Sequence, residues 1–203
     1  MSSEAVVAAV LGGTFDPFHR GHLAVVDQVH DRLGDEVWVV PARLPPHRRP
    51  AVAPPEQRLA LARAATAERP WVRVLDIEMR RAGPSYTIDT MEELGRLHPA
   101  TELWVVLGAD IAAAVSGWHR HGDLLAGGRF LVVNRSGGPV LTPPELKRLG
   151  FPTDRTRLLR IDSPAVSASE VRRRAAVGAP LDDLVPAPVA ELISATGVYR
   201  TPM

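Results

Sequence analysis

Two imidazoles three residues apart, His19 and His22, follow a glycine pair in the stretch Gly12-Gly13-Thr14-Phe15-Asp16-Pro17-Phe18-His19-Arg20-Gly21-His22-Leu23. One helical turn separates them, so both rings can be aimed at a single anion. Histidine pairs also serve as turn or capping residues and as metal ligands. A zinc reading lacks the HExxH pattern and a third ligand. Upstream, residues 6–11 form a short apolar run; downstream, Leu23, Val26, Val29 and Leu33 recur at helical spacing. The motif therefore lies between a buried strand and a helix. There, unpaired N–H groups and the positive end of the helix dipole face an anion, and glycine lets a phosphate approach the backbone. Both rings are expected to face a crevice, so that removing either spares the fold.

The elements that must position these residues follow from periodicity. Segments rich in β-branched and aliphatic residues at 6–11, 36–40, 72–75, 103–107, 130–133 and 158–161 read as strand candidates. Helical patterns separate them at about 22–33, 55–68, 88–98, near 111–115, and at 143–149, 169–177 and 186–194. This alternation predicts an α/β fold, Rossmann-like and doubly wound, with a mostly parallel sheet and helices on both faces. Residues 41–55 hold six prolines together with His47, Arg48 and Arg49, which predicts a surface loop. In such sheets ligands bind beyond the carboxyl ends of the strands, where the turns at 12, 41 and 108 can converge. The 203 residues suit one domain, 1–203, with a C-terminal helical part from about 163 packed on it.

Charge is nearly balanced, 24 Lys and Arg against 23 Asp and Glu, so no global field favours nucleic acid and any anion site is local. The absence of cysteine excludes disulfides, thiolate nucleophiles and Cys-ligated metals. No apolar run approaches ~20 residues, and the chain runs into its first strand without a basic leader, so a cytoplasmic protein with no membrane partner is expected.

The twelve-residue string resembles the GGTFDPxHxGHL signature of the H-x-G-H nucleotidyltransferase superfamily, and its opening is most similar to that of bacterial nicotinate-nucleotide adenylyltransferases. Pro41-Ala42-Arg43-Leu44-Pro45-Pro46-His47-Arg48 is similar to the family's P-x-x-x-P-P-H-K loop, with arginine in the last place. Ser85-Tyr86-Thr87-Ile88-Asp89-Thr90 matches SYTxDT; Gly108-Ala109-Asp110 matches a G-x-D turn; Asn134-Arg135-Ser136-Gly137 is similar to an R-P-G turn. Val166-Ser167-Ala168-Ser169-Glu170-Val171-Arg172 resembles I-S-S-T-x-I-R, with Ala168 replacing a serine.

This resemblance implies an enzyme that joins ATP and nicotinate mononucleotide into nicotinate adenine dinucleotide and pyrophosphate by direct in-line attack, without a covalent intermediate. It implies ATP contacts at Gly12, Gly13, Thr14, Phe15, His19, His22, Gly108, Asp110, Arg135, Ser167, Ser169 and Arg172. It places the acceptor at His47, Ser85, Tyr86, Thr87 and Trp118, and the charge-stabilising work on His19, His22, Arg48 and Arg172. Mg²⁺ is implied as a companion of the ATP phosphates, without dedicated protein ligands, and homo-oligomerisation is left open. Plainer readings stand beside these: Thr87, Asp89, Asp110 or Ser169 as helix caps, Trp118 as core, and Arg172, Arg173 and Arg174 as a solvated basic face. A sister enzyme with another phosphorylated acceptor, or a nucleotide-binding regulator with weak catalysis, is the alternative function. A metal-dependent phosphohydrolase would need a carboxylate-rich cluster that the sequence does not display.

Overall fold

The computed structural model describes residues 6–33, 35–46 and 50–200. Six strands, β1 (Val7–Gly13), β2 (Glu36–Pro41), β3 (Val72–Val74), β4 (Glu102–Gly108), β5 (Phe130–Arg135) and β6 (Thr156–Ile161), form one sheet in the order β3-β2-β1-β4-β5-β6. Every adjacent pair is parallel, with Gly12 opposite Val40, Val10 opposite Val105 and Gly108 opposite Val133. The helices are α1 (Arg20–Leu33), α2 (Pro55–Thr66), α3 (Ile77–Arg80), α4 (Thr87–Leu97), α5 (Ala109–Ala113), α6 (His121–Gly127), α7 (Pro143–Arg148), α8 (Ala168–Ala176) and α9 (Ala187–Thr196).

Near-continuous apolar strands suit a sheet covered on both faces. Alternate residues accordingly enter different cores. Ala9, Val37, Val39, Trp104, Val106, Leu131 and Val133 pack with Val26 of α1, Leu61 of α2, Val171 of α8 and Val189 of α9. Their neighbours turn to the opposite face, where Val105, Leu107, Phe130 and Val132 meet Ile88, Ala112, Leu124 and Leu146, and Val10, Trp38 and Val40 meet Ile77 and Leu94. The winding reverses between β1 and β4, and in sheets of this kind the resulting crevice is where ligands dock.

Two helices depart from the sequence expectation. The single turn of α3 is too short for periodicity to register, and α6 contains Gly122 and Gly127, which weaken any helical signal. The helix expected at 169–177 begins one residue earlier, and that expected at 22–33 begins at Arg20.

Candidate active site

The loop from β1 to α1 brings the two histidines together. Their rings stack with centroids 3.7 Å apart, His19 immediately before α1 and His22 in its first turn. The His19 amide N–H donates to His22 Nδ1 at 3.2 Å, so the imidazole caps the helix start as an acidic or amide side chain would in a capping box. Because Nδ1 accepts, the proton of neutral His22 belongs on Nε2. The Nδ1 of His19 is buried without a hydrogen-bond partner, and a buried N–H without an acceptor is costly, so its proton too belongs on Nε2. The pair is also tied into the protein: His19 is only 4% exposed, and His22 secures backbone. Of the two glycines that open the loop, a methyl group built on Gly13 would strike the Phe15 ring at 2.8 Å, whereas one on Gly12 would meet nothing within 4 Å.

His19 is uncharged at neutral pH. Burial foremost, and then the positive charge of Arg135, lower its pKa from 6.5 to about 4. An unfolded chain takes up this proton near pH 6.5 and the folded one only near 4, so acid favours unfolding across that window. About 3 kcal/mol of stability present at neutral pH should be lost as the pH falls through it. Urea unfolding at pH 7 and pH 4 should show His19→Gln losing less than wild type by this order; equal losses would mean that another group carries the proton.

Behind the histidines the loop is fixed by Phe15 and by three residues that sequence reasoning did not single out, Asp16, Arg58 and Tyr199. Phe15 adopts a left-handed backbone (φ 46°) with its ring buried against Phe18 and His22, so its contact with a nucleotide would be through main chain. The Asp16–Pro17 peptide is cis. The Asp16 carboxylate accepts hydrogen bonds from Val52 N (2.8 Å), Ala53 N (3.1 Å) and the Tyr199 hydroxyl (2.8 Å). Arg58 of α2, 1% exposed, donates to Thr14 O (2.6 Å), Arg43 O (3.2 Å) and Ala53 O (3.2 Å), tying this loop to the proline-rich one. A signal for Arg58 existed: it shares helical spacing with buried Leu61, Ala62 and Ala65, which places it on the inward face.

The remaining expected residues divide. Arg135, the last residue of β5, and Asp110, just past the end of β4, meet at 3.5 Å, and Arg135 lies close enough to act on His19. Asp110 lies inside α5, with Gly108 in the cap position. Arg172 donates to the Asp16 main-chain oxygen at 2.6 Å, whereas Arg173 and Arg174 are spent on Glu170, and Arg174 also on Asp183. Ser167, not Ser169, caps α8, by accepting from Glu170 N; Ser169 is exposed. Neither Thr87 nor Asp89 caps α4: Thr87 is its first residue, and no side chain caps that end. The Ser85 hydroxyl accepts from Arg43 N and Leu44 N, joining the SYT segment to the proline-rich loop. Tyr86 stacks on His119 (4.2 Å), and Tyr86 and Trp118, both partly buried, flank one apolar cluster. A further residue sequence reasoning passed over, Glu78 of α3, lies beneath this segment and accepts from the Thr90 hydroxyl at 2.6 Å; burial raises its pKa. His47 and Arg48 lie outside the described residues. Among the described residues no group of three or more His, Asp or Glu side chains is arranged to hold a metal, and no helix is long and apolar enough to cross a membrane.

The arrangement offers a glycine turn, two imidazoles and, at the end of β5 and on α8, the guanidinium groups of Arg135 and Arg172, a set of donors that suits a polyphosphate. Residues 10–174 match the cytidylyltransferase-like family. The chain is 41% identical over 195 residues to the probable nicotinate-nucleotide adenylyltransferase of Symbiobacterium thermophilum, covering 94% of each chain. It is 38% identical over 204 residues to that of Roseiflexus sp., covering 98% of this chain and all of the other. The fold is similar to that of the Plasmodium falciparum nicotinic acid mononucleotide adenylyltransferase complexed with NaAD, with a TM-score of 0.80 at 19% identity over 96% of this chain and 97% of that one.

Proposed function

Because the chain belongs to the cytidylyltransferase-like family, and within it to the nicotinate-nucleotide adenylyltransferases, we infer that it joins ATP and nicotinate mononucleotide into nicotinate adenine dinucleotide, releasing pyrophosphate. The observation that carries this reading is the stacked His19–His22 pair, with His19 uncharged, on the β1–α1 turn at the point where the winding of the sheet reverses. The 5′-phosphate of the acceptor is already a competent nucleophile, so the protein's work is alignment and stabilisation of charge on the α-phosphate and on the leaving pyrophosphate. In this reading the Nε2 protons of His19 and His22 are donated to phosphate oxygens, while Arg172 and Arg48 hold the leaving group. The neutral imidazole of His19 suits this role because it donates without first having to be protonated, and Arg172 and Arg135 supply fixed positive charge at the rim.

The Gly12–Gly13 turn, Thr14 and the Phe15 main chain would receive the triphosphate, with Asp110 and Arg135 at the nucleoside end. Ser167 and Ser169 would flank the phosphates at the start of α8, where Ala168 leaves one hydroxyl fewer than the family pattern. His47, Ser85, Tyr86, Thr87 and Trp118 would frame the acceptor. A magnesium ion carried by the triphosphate fits this donor set, because Asp110 offers an exposed carboxylate and, among the described residues, no protein cage competes for the ion. When bound, it would neutralise phosphate charge.

The test is a pyrophosphate-release assay with ATP and a panel of phosphorylated acceptors: nicotinate mononucleotide, its amide and phosphopantetheine. Nicotinate mononucleotide is expected to be turned over fastest. Equal use of the amide would remove the acceptor preference, and release with phosphopantetheine alone would overturn the reading.

A further inference from the structure

Tyr199 lies 183 residues from Asp16 in sequence, yet its hydroxyl donates to Asp16 Oδ1 at 2.8 Å in a contact buried on both sides. It reaches this place because Gly197, in the left-handed region (φ 64°), ends α9 and turns the chain back toward α2. Burial and the facing carboxylate keep the phenol protonated, and so a donor.

Asp16 joins three separate segments. Its side chain holds Val52 and Ala53, in the loop that follows His47 and Arg48 in sequence; its main-chain oxygen accepts from Arg172 at 2.6 Å; and Arg172 Nη1 also lies 3.7 Å from Asp16 Oδ2. The charged groups around it are thus Arg172 from α8 and, within electrostatic reach of Tyr199, Arg58 from α2.

We propose that Tyr199 is a positioning residue for the triphosphate grip: its hydroxyl fixes Asp16, and Asp16 fixes both the guanidinium of Arg172 and the backbone of Val52 and Ala53. The chemistry is simple. A carboxylate with three directional donors has one orientation, and loss of the tyrosine donor leaves Oδ1 with Ala53 N alone. The peptide that carries the Asp16 carbonyl can then rotate, and Arg172 follows it. This proposal rests on the reading of Arg172 as an ATP contact, and it predicts that Tyr199 and Arg172 act as one unit.

The experiment is a double-mutant cycle on the full chain, with Tyr199→Phe, Arg172→Ala and the double variant, reading kcat, both KM values and the calorimetric Kd for ATP alone. Phenylalanine keeps the buried ring, so the fold is retained. Tyr199→Phe is expected to raise KM and Kd for ATP about three- to tenfold with the KM for the acceptor unchanged, and Arg172→Ala to add much less in the Phe background than in wild type. Leu146→Ala, a cavity under α7 in the core cluster on the other face of the sheet from that of Phe15 and Tyr199, serves as a control: it should lower the thermal midpoint and leave KM for ATP unchanged. An ATP affinity unchanged in Tyr199→Phe, or effects of the two substitutions that simply multiply, would overturn the proposal. Wild-type protein that binds ATP but makes no dinucleotide would sink the adenylyltransferase reading and leave the binding cycle to decide this one. Failure to bind ATP at all would end both.

Discussion

Replacing His22 by alanine is expected to lower kcat about 10²–10³-fold, the usual consequence of deleting one donor aimed at charge that develops in a transition state. His19→Ala should fall in the same range, while KM for ATP changes only a few-fold, because the glycine turn and the arginines still bind the ground state. The structural cost differs between the two. His22→Ala also removes the acceptor for the His19 amide, a cap of the kind worth about 1 kcal/mol, so a modest loss of stability accompanies the loss of rate. Rate and stability therefore need to be measured together, by steady-state kinetics and thermal unfolding on the same preparations. Turnover near wild type in either variant would remove the histidines from the chemistry.

The largest expected effect on stability belongs to Arg58. Arg58→Met keeps an unbranched apolar stem but strips three buried or partly buried carbonyls, Thr14 O, Arg43 O and Ala53 O, of their donor. Each orphaned acceptor costs about 1–3 kcal/mol, and since the three share one side chain the losses do not simply add; about 3–5 kcal/mol overall is expected in urea unfolding. ATP binding should weaken as well, because Thr14 and the left-handed Phe15 are held in place by that guanidinium. A loss below about 1 kcal/mol would show that the loops hold their shape without it.

The central strands were legible because they are apolar runs bounded by turn residues, and the longer helices because their buried positions recur every three or four residues. The chemistry of the β1–α1 turn was legible for a related reason: glycines, a proline and two histidines stand in one short string. Arg58 and Tyr199 were not read as site residues, because an arginine in a helix and an aromatic near a chain end usually mean surface and tail. Their roles arise from contacts 44 and 183 residues away in sequence, which no local pattern encodes. The same holds for the cap of α8: Ser167 and Ser169 both look suitable, and only the direction of the incoming chain decides between them.

The two adjacent glycines of the β1–α1 turn are kept by different authorities. At position 13 the interior forbids anything larger, because the phenylalanine two residues on occupies the space. At position 12 the protein itself raises no objection: the residue sits in a regular strand opposite Val40, and an added methyl would hang in open space. Folding alone would accept alanine there and, through a less disordered unfolded chain, even welcome it. On the proposed reading, what position 12 leaves room for is a guest rather than a neighbour. In the proposed site the bare strip of backbone would be the binding surface, and the side chain this residue lacks would be its contribution.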